Sequence, residues 1–281
     1  MTLRVTFLLL LLTLPLLARG DDFIAAPGTT FSITDPAGLC RLDAGASTQA
    51  AELLAALEAA DGETLVALAT LFDCPFVDSL ASGAAVRPAA WVRIVTATEK
   101  GEPVTLPLGR REYLRQLAQE LRALIGEEPG PDFSHLIEQA LQSVQQEMTS
   151  TAPDGIALSK VQPLGVLAED PDGVYAGIVG VISLNGARTP VLTVLGATVL
   201  KGRPISVYLS RPYGGPESVP PQVEETRRFV AGLVARNDPA GDSPGGGALF
   251  GWDRLALFTG IGAAAGIAAA LVLRRKRRSA R

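Results

Sequence analysis

Residues Leu255 to Leu273, LALFTGIGAAAGIAAALVL, form 19 consecutive positions without a charge. As a helix with a rise of about 1.5 Å per residue they reach roughly 28 Å, close to the ~30 Å hydrocarbon core of a bilayer. The run therefore predicts a single transmembrane helix over 255–273. Behind it, residues 274–281 (RRKRRSAR) carry six cations, whereas Asp253 and Arg254 cancel on the other side. Cations are retained on the cytoplasmic side, so the C-terminus is expected inside and all that precedes Leu255 outside.

The other end fits this topology. MTLRVTFLLLLLTLPLLARGDD has a basic start at Arg4, an apolar run from Val5 to Leu17, and small residues at Ala18 and Gly20 in the −3 and −1 positions of a cleavage site. A signal peptide over 1–20 is expected, with the mature chain starting at Asp21. No twin-arginine pair and no cysteine at the cleavage point accompany it, which points to export of an unfolded chain without a lipid anchor. The expected location is the inner (cytoplasmic) membrane, single-pass, with a periplasmic domain over 21–236. A Pro/Gly/Ser/Asp stretch over 237–254 has no apolar periodicity and reads as a flexible linker.

Charge narrows the partners of that domain. The whole chain has 25 Lys+Arg and 29 Asp+Glu, but the leader and the tail hold eight of the cations and none of the acids, which leaves the domain and linker together at about −12. Nucleic acid and anionic lipid surfaces require a basic footprint, so neither is an expected ligand of the domain. Cys40 and Cys74 are the only cysteines. In an oxidising compartment an even count predicts a disulfide between them, the alternative being two buried thiols. Their separation does not offer the close dithiol of a redox catalyst.

Local patterns define an α+β domain. TFSIT (Thr30–Thr34) reads as a strand ended by Asp35-Pro36. Ala50, Leu53, Leu54 and Leu57 keep helical spacing, with Ser47 or Thr48 as cap and Asp61-Gly62 as stop. Thr64 to Phe72 is apolar on all sides and fits either a buried strand or a buried helix. AWVRIVTAT (Ala90–Thr98) is rich in β-branched residues and reads as a strand. Two amphipathic helices follow: Leu114, Leu117, Ala118, Leu121, Leu124 and Ile125 stripe the first, and Phe133, Leu136, Ile137, Ala140, Leu141, Val144 and Met148 the second. The short connection Glu127–Gly130 predicts that the two form a near-antiparallel hairpin.

From Ile156 the apolar period changes to two, and turn signals at Asp170–Gly173, Asn185-Gly186 and Lys201-Gly202 cut the chain into four strands of an antiparallel meander layered with helices. The middle strands are apolar on both faces. The last alternates Ile205, Val207 and Leu209 with Ser206, Tyr208 and Ser210, a pattern that can leave one face wet. A closing helix over Pro221–Arg236 turns Val223, Thr226, Val230 and Leu233 inward, with Glu224 and Arg228 paired outside.

This carboxyl half, with LGATVLKGRPISVYLSRPY running into a terminal helix, resembles the PsbP-like group. That resemblance implies an α/β/α sandwich on a central antiparallel sheet and a binding or assembly role. GLCRLD around Cys40 and LFDC ending at Cys74 look like segments of uncharacterised exported bacterial proteins. The tail is similar to the GlyGly-CTERM sorting signal: Gly245–Gly247, the apolar helix and RRKRR occur in its order, which implies removal of the anchor by a rhomboid-type protease. Trp252-Asp253-Arg254, between glycines and helix, departs from that pattern.

Catalytic patterns are sparse. His135 is the sole histidine, off the apolar stripe of its helix, and a Ser-His-Asp centre needs a histidine beside its serine. No G-x-S-x-G elbow, Ser-x-x-Lys or H-E-x-x-H motif occurs. The acidic turn Glu169, Asp170 and Asp172 lacks the alternating ligands of a calcium loop and reads as a plain turn. Gly260, Gly262 and Gly266 miss the dinucleotide spacing by one residue. Gly262 and Gly266 do form G-x-x-x-G, continued by Ala270, a small face through which two transmembrane helices pack as a homodimer. The expected function is a membrane-tethered periplasmic binding or assembly module without catalytic, cofactor-binding or metal residues. The alternative is a carboxylate-dependent envelope enzyme, for which Asp73 and Asp78 are the formal pair.

Overall fold

The computed structural model of the protein describes residues 21–24, 29–61, 64–82, 87–99, 101–125, 156–184 and 187–238. The expected leader, the helix over Phe133–Met148 with His135, the turn residues Asn185-Gly186, the run 255–273 with Gly262, Gly266 and Ala270, and the basic tail lie outside them. Among the described residues no helix is long and apolar enough to cross a membrane.

The class is α+β. In chain order the elements are β1 (Asp21–Ile24), β2 (Thr30–Ile33), β3 (Leu39–Arg41), α1 (Thr48–Asp61), β4 (Leu65–Asp73), α2 (Cys74–Ser82), β5 (Trp91–Glu99), β6 (Glu102–Pro103) and α3 (Arg110–Ile125). There follow β7 (Ile156–Glu169), β8 (Val174–Leu184), β9 (Ala187–Leu200), β10 (Arg203–Pro212) and α4 (Val219–Asn237). The main sheet is antiparallel in the order β3-β4-β5-β10-β9-β8-β7, and β6 adds a short hairpin to β5.

The meander expected from Ile156 is present as β7 to β10. Leu184 pairs with Ala187, so that hairpin closes over two residues, as Asn-Gly dictates. Leu200 pairs with Arg203, and the two residues between, Lys201 at φ 51° and Gly202 at φ 75°, both lie in the left-handed region that a type I′ turn requires. Ser47 caps α1 by accepting the Ala50 N–H at 3.1 Å. The ambiguous segment after α1 is a strand, β4. A bulge between Ala67 and Ala69 leaves Leu68 without a partner on β5, which explains why the run shows no clean alternation.

Helices cover both faces of the sheet. On one face, Val219, Val223, Val230, Leu233 and Val234 of α4 pack with Leu192, Val194, Val207, Leu209, Val92 and Ile94, and Phe31 and Ile33 of β2 complete the layer. The opposite face is shared. α1 and α2 place Ala50, Leu57, Phe76 and Leu80 on Phe72, Trp91 and Val191. α3 places Tyr113, Leu114, Leu117 and Leu121 on Ala97, Val174, Ala176, Ala197 and Val199.

Between these two groups, Tyr208 packs with Leu65, Val95 and Leu195. This corrects the expectation that β10 can leave one face wet, because Tyr208 is 4% and Ser210 2% exposed. Alternation of residue type misled there: a tyrosine buries its ring readily, and the Ser210 hydroxyl is satisfied at 2.8 Å by Thr193 on the neighbouring strand.

Gly196 marks the closest approach of α4 to the sheet. A Cβ added there would lie 2.8 Å from Val230 Cγ2 and 3.0 Å from Thr226 Cγ2. Both neighbours are β-branched and cannot swing aside. Gly196→Ala is therefore expected to cost about 1–3 kcal/mol by overpacking. Urea unfolding of the variant measures it, and an unchanged midpoint would show that α4 moves away at no cost.

Candidate functional site

Among the described residues, side chains that carry chemistry gather at three places, and in each the sequence folds them against internal partners. The first is the Cys40–Cys74 disulfide, with Cα atoms 4.8 Å apart. Cys40 sits on β3 opposite Phe72, and Cys74 opens α2 just past the end of β4. Their expected pairing is what the structure holds, and no free cysteine remains.

Beside the bridge stands Asp73. Its Oδ2 accepts the Phe76 N–H at 3.2 Å, and its Oδ1 accepts the Ala89 N–H at 2.6 Å and the Ala90 N–H at 3.2 Å. The carboxylate thus caps α2 and pins the chain entering β5, while Asp78 lies exposed one turn along the helix. The two members of the formal catalytic pair thus differ in setting, Asp73 held by backbone amides and Asp78 exposed. With three backbone donors depending on it, Asp73→Ala is expected to cost about 1–2 kcal/mol, the upper range for loss of a cap. Thermal unfolding tests this, and an unaltered midpoint would refute it.

The second place is the centre of the sheet. Arg93 of β5 projects between Thr70 on β4 and Tyr208 on β10. Its guanidinium meets Asp61, the last residue of α1, in a two-pronged bond: Nη1 to Oδ1 at 2.8 Å and Nη2 to Oδ2 at 2.5 Å. The side chains are 1% and 2% exposed. Burial pushes the Asp61 carboxyl above its ordinary range, against the pull of the Arg93 hydrogen bond and charge. Burial also raises the Tyr208 phenol, with the negative charge of Asp61 adding to the shift. The Arg93 Nε has no hydrogen-bond partner. A site closed to this degree binds no substrate without opening, and its evident work is to fasten the end of α1 to the sheet.

The third place runs along the second half of α4, from Arg227 to Asp238. Asp170 opens the β7–β8 turn and its Oδ1 accepts the Asp172 and Gly173 N–H groups, each at 2.9 Å, while Arg227 of α4 binds Oδ2 at 2.9 Å. Arg122 pairs with Glu169. Arg110, at the start of α3 and nearly buried, donates from Nε to Val199 O at 3.0 Å, binds Asp238 at 2.9 Å, and lies 3.7 Å from Asp172. Glu169, Asp170 and Asp172, weighed above as a calcium turn, are each matched by a guanidinium. No group of three or more His, Cys, Asp or Glu arranged to hold a metal occurs among the described residues.

At the end of α4 Asn237 donates to Ser32 O and accepts the Ser32 N–H, tying α4 to β2. The closing helix expected over Pro221–Arg236 spans Val219–Asn237 in the structure.

Sequence reading missed the Arg93–Asp61 pair. Its signal was present in part, since a lone arginine inside the apolar run AWVRIVTAT must find a buried counter-charge. The partner 32 positions earlier has no marker, because Asp61 looks like an ordinary helix terminator.

No protein-family model matches the chain, and no curated protein is similar to it.

Proposed function

We propose that the protein is a binding or assembly module of the bacterial envelope, anchored in the inner membrane by 255–273, with its α+β domain on the periplasmic side. The observation that carries this reading is the internal use of its carboxylates. Asp61, Glu169, Asp170 and Asp172 face guanidinium groups and Asp73 faces backbone amides. An enzyme working with two carboxylates needs them directed at a substrate, with shifted affinities for the proton.

The disulfide supports an oxidising compartment. The resemblance of the carboxyl half to PsbP-like modules points toward binding or assembly, and tethering raises the concentration of such a module near membrane partners. Gly262, Gly266 and Ala270 offer a face for pairing two anchors.

An alanine scan of exposed Asp and Glu positions and His135, scored by the phenotype of deletion, tests the reading. Binding predicts graded losses spread over one surface patch. Two carboxylates that each abolish function while folding is retained would overturn it in favour of an envelope enzyme. Protease added to spheroplasts tests the topology independently: digestion of the domain is expected, and a protected domain with an accessible C-terminal tag would contradict it.

A further inference from the structure

We draw no further inference here: the strongest candidate, the outer edge of β4 around the exposed Val66, is an apolar edge without a strand partner among the described residues, and nothing in the structure shows what covers it.

Discussion

Replacing Arg93 with methionine is expected to destabilise the domain by about 3–5 kcal/mol, because it leaves the Asp61 carboxylate buried without its counter-ion. Asp61→Leu is expected to cost a similar amount by stranding the guanidinium. The double variant should recover most of the loss, since an apolar pair of comparable volume avoids the desolvation of both charges. Urea unfolding of a 21–238 fragment yields the full cycle, and additive single losses would show that the two residues are not coupled.

The pH dependence of the same cycle has a defined sign. The Asp61 carboxyl lies above its ordinary value in the folded protein, so the folded state holds that proton more tightly than the unfolded chain. The stability this contributes is fully present below the unfolded pKa, near 4, and is lost as pH rises through the folded value. The double variant should therefore gain on the wild type as pH increases across that window. A difference that stays flat, or one that narrows, would refute the assignment.

Loss of the disulfide through Cys40→Ser and Cys74→Ser is the other large effect expected, about 3–4 kcal/mol on the chain-entropy account for a loop of 34 positions. The loop encloses α1 and β4, so the bond restrains one strand of the main sheet and its covering helix in the unfolded chain. The fold itself should survive, because Leu39 and Leu42 on either side of Cys40 are buried and keep β3 docked. A reduced, alkylated protein with native stability would sink the prediction. Mass spectrometry without reductant offers a direct check, in which the bridged peptide must appear.

Legibility followed the range over which each pattern is determined. Turn chemistry acts within four residues, so Asp170–Gly173 and Lys201-Gly202 located their hairpins, and helical stripes located α1, α3 and α4. Short elements escaped. β3 has three residues, too few for a period, and α2 has nine, opened by Pro75 in its first turn, with no apolar stripe long enough to stand out.

Long-range placement was not legible at all. Nothing local says that Trp91–Glu99 lies beside Arg203–Pro212, since any two apolar strands pair equally well on pattern alone. At the candidate sites the types of residue were readable and their occupancy was not. Asp73, Asp170 and Asp172 look like available carboxylates until the amides and guanidinium groups that consume them are placed in space.

The position of β10 decides when this protein can fold. It is the last of the described strands to be made, yet it lies between β5 and β9. Until it emerges, β3-β4-β5 and β7-β8-β9 are separate fragments, each with a bare inner edge, and α4 is not yet there to cover one face of either. The joint closes over a long span: the Thr96 hydroxyl reaches Pro204 O across 108 positions. Contacts of such separation make for slow folding and leave strand edges exposed to aggregation meanwhile. A growing chain of this order cannot close its sheet before Arg203–Pro212 has been made, so its N-terminal strands gain little by collapsing early.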